Sequence, residues 1–353
     1  MMNKRILITF DYELFLGDKS GNINHCLIEP TNRLLNIFDA YGIKTAIFFI
    51  DTTYLIQLEQ QVDQYEKARK DYETVKSQLT DILKRGHILF PHLHPHWVDA
   101  RYNPDKNEWS IINYRYYRFH NLPDPQKKTL FEDSIRILTE VQDASGIHHP
   151  IEGYRAGGWS LMPFSDFRPY FEKHEIFYDL SAISKSVSHT TAQDYDYRSI
   201  SGDNWYTFDK EVSSPVDKGP FLEHPVSTIS LSFYRALADR LWRKVNWKLG
   251  YRSMGNGRGV EGKPADSSTE NTTDYEYLGI ENLSQSTYPV YKQFIKNHNY
   301  IHFLSHPKMV SKVNLYYWNR LLGWMRKNYT ADYSYKITEF EQSRQRSYHD
   351  QAQ

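Results

Sequence analysis

Cysteine is almost missing from this chain: Cys26 is the only one in 353 residues. A lone cysteine excludes an intramolecular disulfide and fits a reducing compartment. Surplus charge is missing too, since 43 Lys and Arg face 43 Asp and Glu. Without a basic excess there is no electrostatic footprint for long phosphate polymers, and no nucleic-acid partner is expected. Nor is there an apolar run of about 18 residues, so no integral membrane span is expected. The N-terminal Met1-Met2-Asn3-Lys4-Arg5 leads into Ile6-Leu7-Ile8-Thr9-Phe10, too short for a signal-peptide core and followed at once by acids. The expected location is the cytoplasm.

What is present is apolar and aromatic mass: 40% hydrophobic residues, with 28 Tyr and 8 Trp. That suffices for a large core, as two domains or as one α/β barrel. Flat amphipathic rings suit sugar faces as well as interiors. Short apolar runs alternate with amphipathic helical stretches, the pattern of βαβ units. Ile6–Phe10 reads as the first strand and residues 44–50 as the second. Between them, Leu34, Leu35, Ile37 and Phe38 fall at helical spacing and the pattern stops at Gly42. From 54 to 85 the apolar positions step by three and four, which predicts a long helix with a break near 67–71. Later strands are expected at 88–90, from 151, at 176–181, 226–231 and 300–307, and helices at 125–141, 167–174, 234–249, 288–298 and 318–328. Residues 98–125 form an aromatic insertion with Tyr114, Tyr117 and Phe119, either a substrate lid or packing across a rim. Residues 182–220 are polar and irregular. Residues 255–271, rich in Gly, Ser, Thr and charge, have little to bury and read as a mobile excursion, within a second insertion near 250–275. The tail, 341–353, is expected to be disordered.

Chemistry-bearing residues gather at the ends of the expected strands. After Ile88-Leu89-Phe90 comes Pro91-His92-Leu93-His94-Pro95-His96-Trp97. Neutral imidazole is the commonest protein ligand for divalent transition metals, and three within five positions can converge on one ion. An extended backbone puts His92, His94 and His96 on one face; a helical turn brings only His92 and His96 together. Asp11-Tyr12-Glu13 ends the first strand, and two carboxylates on one side can divide the work of base and metal ligand. Arg155 precedes Gly157, Gly158 and Trp159, a loop where backbone approaches a ligand or merely turns. Asp179 and His306 also fall near strand ends.

The order Asp11 with Glu13, His92 with His96, Arg155, Asp179 and His306 resembles that of the polysaccharide deacetylases, the NodB-homology or carbohydrate esterase family 4 enzymes, over roughly residues 4–310. The family's Thr-Phe-Asp-Asp matches Thr9-Phe10-Asp11, with Tyr12 in place of the second aspartate and Glu13 resembling an Asp-x-Glu form. Its His-x-x-x-His maps onto His92 and His96, and its Leu-x-His onto Leu304-Ser305-His306. The resemblance implies a distorted seven-stranded (β/α) barrel, a single α/β domain over 1–340. It implies a divalent cation on Glu13, His92 and His96, most simply Zn2+, with Co2+ or Ni2+ as alternatives. Asp11 becomes the base held by Arg155, His306 the general acid tuned by Asp179, and His94, Trp97, Gly157 and Trp159 the substrate-facing residues. The implied reaction removes an N-acetyl group from an amino sugar or carrier-linked saccharide and releases acetate.

Three other readings stay open from sequence. The same barrel can hydrolyse other non-peptide carbon–nitrogen bonds. A glycoside hydrolase would need Asp179 as the second carboxylate, because Asp11 and Glu13 are too close in sequence to flank a bond by themselves. A catalytically inactive saccharide-binding protein would use the aromatic insertion. Oligomeric state leaves no mark on the sequence.

Overall fold

The apolar runs form parallel strands joined by helices, in a computed structural model that describes residues 2–111, 113–190, 193–231, 249–259 and 275–351, with single positions between 237 and 245. The strands that build the site are β1 (Met2–Tyr12), β2 (Ile47–Asp51), β3 (Ile88–Leu93), β4 (Gly153–Ala156), β5 (Tyr178–Asp179), β6 (Phe221–Glu223) and β7 (Tyr300–Ser305). They neighbour one another in the order β6-β5-β4-β3-β2-β1-β7, and every pairing along that path is parallel. Antiparallel strands Tyr206–Phe208 and Pro215–Val216 extend the β6 edge, and Tyr329–Asp332 pairs with the start of β1. The single α/β domain therefore rests on one ten-stranded sheet, where a seven-stranded barrel is expected from sequence. Its ends curl toward each other. Ser227 N donates to His302 O at 3.2 Å and Tyr300 Oη to Pro225 O at 3.0 Å, so the segment after β6 reaches β7 by scattered bonds and not by a ladder.

Burial explains why these runs are strands. All five residues of β2 and all six of β7 are buried, as expected where helices cover a parallel sheet. Helix α1 (Glu29–Tyr41) has Pro30 at its start and ends on Gly42 in the left-handed conformation, φ 66°, where a Cβ would strain the backbone. Its Leu34, Leu35 and Phe38 are fully buried, as are Val75, Leu79 and Ile82 of α3 (Glu66–Lys84). Each such side chain contributes about 1.5–3 kcal/mol. The helical pattern over 54–85 is broken, but at residues 60–65, between α2 (Thr52–Glu59) and α3, and not at 67–71. Asp51 caps α2 by accepting from Tyr54 N at 3.2 Å, which fixes where that helix begins independently of the apolar pattern.

Helices α4 (Asp124–Ser145), α5 (Arg168–Lys173), α6 (Tyr288–Asn297) and α7 (Lys312–Asn328) follow the expected positions, α7 starting six residues early behind a Ser311–Asn314 capping box. The tail expected to be disordered from 341 is helical, α8 (Thr338–Gln351), with Phe340 buried and Glu341 accepting from the Tyr178 hydroxyl. In the aromatic insertion, Arg101–Asn103 and Glu108–Ser110 pair as a hairpin, and Trp109, Ile111, Tyr117 and Phe119 are buried. The part of the second insertion at 260–274 lies outside the described residues. Its described neighbours pack closely, Gly255 N bonding to Lys308 O and Arg258 N to Lys19 O. No described helix is long and apolar enough to cross a membrane.

Candidate metal and acid–base centre

Register decides which side chains meet at the C-terminal edge of the sheet. Asp51 stands beside His92, His92 beside Arg155, and Tyr154 beside Asp179. β1 ends at Tyr12, still paired with Ile50 of β2, and Asp11 and Glu13 on either side of it both turn toward His92. Both are buried, Asp11 to 1% and Glu13 to 4% exposure.

Around Glu13, Oε1 accepts from Lys308 Nζ at 2.8 Å. Its Oε2 lies 2.6 Å from His94 Nε2 and 3.4 Å from His92 Nε2, yet no directed hydrogen bond reaches it. His92 Nδ1 is 2.9 Å from the Arg155 carbonyl, an acceptor only, so Nδ1 carries the proton and Nε2 turns its lone pair inward. His94 Nε2 is 2.9 Å from that same His92 Nε2. Three acceptor-capable atoms thus face one point with few protons to share. Burial pushes the Glu13 carboxyl up, but the Lys308 ammonium and the imidazoles outweigh it and hold it well below the ordinary carboxylate range. Burial lowers His92, while Asp11 and Glu13 raise it further than burial depresses it. The cluster favours positive charge at its centre, and one carboxylate with two imidazoles is a donor set suited to a divalent transition metal.

The family resemblance pairs His92 with His96; the structure brings His92 and His94 together. His94 is still extended (φ −112°, ψ 84°), and Pro95–Asp99 then winds into a 3-10 turn. His92 and His94 therefore share a face while His96 is carried into the insertion, stacked on Tyr117 at 4.4 Å between ring centres. It is fully buried with neither ring nitrogen hydrogen-bonded, and burial, with His94 alongside, holds it well below the usual imidazole range.

Asp11 lies next to this cluster. Its Oδ1 accepts from Arg155 Nη1 at 2.6 Å, while Oδ2 faces the Trp159 indole N–H at 3.4 Å and His306 Nε2 at 3.5 Å. Arg155 is fully buried, its Nε donating to Leu180 O at 2.8 Å and its Nη2 to Thr9 Oγ1 at 2.9 Å. Burial raises Asp11, but Arg155 first, then His92 and His306, bring it below the ordinary value. The guanidinium thus keeps a buried carboxylate ionised through Oδ1 and leaves Oδ2 outside the ion pair.

His306 comes from the end of β7 and points Nε2 at Asp11. Its Nδ1 is 2.9 Å from Glu281 Oε1, which also takes the His306 backbone N–H, while Ser305 Oγ donates to Glu281 Oε2. Burial lowers His306, and Glu281 and Asp11 reverse that, so it sits above the ordinary imidazole value. The carboxylate at His306 is therefore Glu281, where sequence reasoning puts Asp179. Asp179 is fully buried, accepts from Ser181 Oγ at 2.6 Å and sits beside Glu223; burial drives both carboxyls up, the state of a pair that shares a proton.

The remaining expected residues separate into two kinds. Trp159 stands at the reacting groups, its ring centre 6.1 Å from that of His306. Trp97 is buried and donates Nε1–H to Asp51 Oδ2 at 2.6 Å, while burial raises Asp51 to about 6, so the ring packs beneath the site. Gly157 lies against His94: a Cβ there would come 2.2 Å from Leu93 O and 3.0 Å from His94 Nδ1. Lys308 and Glu281 carry no local signal. Lys308 follows His306-Pro307 in sequence, and that nearness to a candidate acid is the only hint it offered.

No family model and no curated protein matches this sequence. Among solved structures, the chain resembles a Mycobacterium smegmatis protein assigned to the polysaccharide deacetylases, at 12% identity and TM-score 0.44, over 92% of this chain and 85% of that one. It also resembles the catalytic domain of a peptidoglycan N-acetylglucosamine deacetylase from Eubacterium rectale, at 13% identity and TM-score 0.39 over 94% and 88%. A 4-alpha-glucanotransferase from Thermococcus litoralis is similar at 9% identity and TM-score 0.46, over 97% of this chain and 40% of its own length. These likenesses are distant, and the chemistry below rests on the side chains at the sheet edge.

Proposed function

We propose that this chain is a polysaccharide-deacetylase-like hydrolase of the Asp-x-Glu form, which removes an N-acetyl group from an amino sugar or carrier-linked saccharide inside the cell and releases acetate. The observation that carries this reading is the convergence of Asp11, Glu13, His92, His94 and His306 on one buried point, with Arg155 on Asp11 and Glu281 on His306. Two carboxylates with opposite companions can act as ligand and base, and an imidazole facing them can act as acid.

Glu13, His92 and His94 would hold the divalent cation, with His94 in the place the family resemblance gives to His96; Zn2+ is favoured, with Co2+ or Ni2+ as alternatives. Such an ion supplies Lewis-acid polarisation of the acetamide carbonyl and lowers the pKa of water toward about 7. Lys308 holds Oε1 of Glu13 and leaves Oε2 directed at the imidazoles. Asp11 Oδ2, which Arg155 does not engage, takes the proton of the attacking water. His306, doubly protonated with Glu281 on Nδ1, gives its Nε2 proton to the departing amine as the carbon–nitrogen bond breaks. Water adds its oxygen to the acetyl carbon, so the products are acetate and a free amino sugar. Trp159, bonded to Asp11 and edge-on to His306, lines the substrate's side of the base and acid.

Acetate release from a panel of free and carrier-linked N-acetylated sugars by zinc-reconstituted protein tests this. Turnover that falls by orders of magnitude in Asp11→Asn and His306→Ala supports it. A zinc-loaded wild type that releases no acetate from any member, while deacylating or cleaving another bond, would contradict it.

A further inference from the structure

Among the described residues, exposed apolar side chains concentrate at 237–249, in a segment whose continuation runs past His306. Leu237, Leu241, Trp242, Val245 and Leu249 are 44%, 55%, 53%, 78% and 73% exposed. Within 237–245, the described positions are helical. Gly250 O accepts from Val313 N, Met254 N donates to Val310 O and Gly255 N to Lys308 O, so the chain leaving this segment runs along residues 308–313, just past His306. Met309 and Tyr316, 41% and 58% exposed, belong to that neighbouring stretch. Together these seven are most of the ten large apolar side chains exposed among the described residues.

Charge accompanies them. Residues 235–252 contain Arg235, Arg240, Arg243, Lys244, Lys248 and Arg252 against the single acid Asp239, in a chain whose net charge is zero. Asp239 is buried and accepts from Ser284 Oγ at 2.6 Å. Leu and Trp interleaved with Lys and Arg is the composition of an interfacial amphipathic helix. A cluster of exposed large apolar side chains is a candidate interaction site.

We infer that this segment docks the protein on an anionic lipid bilayer, the apolar side chains entering the headgroup region and the basic ones facing lipid phosphates. The inference is independent of the deacetylase reading. If both hold, the docked face sets the His306 side of the site at the membrane surface, where a lipid-carried saccharide would be presented.

The test is flotation of the full-length protein with vesicles of phosphatidylcholine alone and of phosphatidylcholine mixed with phosphatidylglycerol. The expected result is co-flotation with the anionic vesicles only, weakened by high salt. It should be abolished in Val245→Asp/Leu249→Asp and retained in Ile147→Asp, whose side chain is 42% exposed elsewhere. Unchanged circular dichroism and urea midpoint in the double variant exclude misfolding. Wild type that stays unbound with anionic vesicles overturns the inference. So does a dimer by light scattering that the double variant dissociates without any flotation by wild type, since a second copy would then cover the face.

Discussion

Arg155→Met puts the electrostatic account under the greatest load. The guanidinium is fully buried and gives a charge-assisted bond to Asp11 at 2.6 Å, with further bonds to Leu180 O and Thr9 Oγ1. Removing one partner of a buried ion pair costs about 3–5 kcal/mol, a large share of the roughly 5–15 kcal/mol that holds a domain together. The pH dependence follows from the sign of the Asp11 shift. Its folded value is depressed below the ordinary one, so its contribution is present above the unfolded pKa, near 3.9, and lost as pH falls through the folded value. Without Arg155, burial is opposed only by the imidazoles and Asp11 rises. The variant's deficit is therefore greatest near neutral pH and narrows in acid, where Asp11 protonates. Urea unfolding of wild type, R155M, D11N and the double variant at both pH values measures it. A coupling of about 1.5–3 kcal/mol near neutral pH is expected for this charged hydrogen bond. A coupling near zero, or a deficit that grows in acid, would refute the reasoning.

Glu281→Gln should move the basic limb of the kcat/KM profile to lower pH, because Glu281 is the main group raising His306 and the acid must be protonated to act; a limb that stays in place would remove Glu281 from that role. Gly157→Ala places a Cβ 2.2 Å from Leu93 O, so the β3–β4 contact must open and His94 shift; a loss of about 1–3 kcal/mol in urea unfolding, with weaker zinc binding by competition against a chelator, is expected. Trp97→Phe leaves Asp51 Oδ2 without its donor and should cost about 1–3 kcal/mol in the same unfolding assay, whereas zinc binding should stay within a few-fold.

Much of the site was legible because parallel strands announce themselves as apolar runs and reactive groups collect where such runs stop. Asp11, Glu13, Arg155 and His306 were found in that way, and the structure brings all four together. The choice between His94 and His96 was not legible. It depends on where extension gives way to a turn, and Pro95 begins the 3-10 turn one residue after His94, later than a helical His92–His96 pairing needs. Glu281 and Lys308 were invisible for another reason: each acts through contacts with Ser305, His306 or Glu13 that the fold creates, across 24 to 295 residues in the case of Ser305 and Glu13. Asp179 looked like the partner of His306 by its place in the chain, but its strand neighbour is Glu223, and the two carboxyls answer to each other. Similarly, the tail is polar in composition, yet Phe340 and Glu341 find Tyr178, which helps dock α8.

The most direct test of the proposed centre is zinc stoichiometry by mass spectrometry in wild type, His94→Ala and His96→Ala after identical loading and dialysis. One equivalent in wild type and in His96→Ala, with loss from His94→Ala, is the result that the arrangement of Glu13, His92 and His94 requires. Zinc kept by His94→Ala and lost from His96→Ala would contradict it.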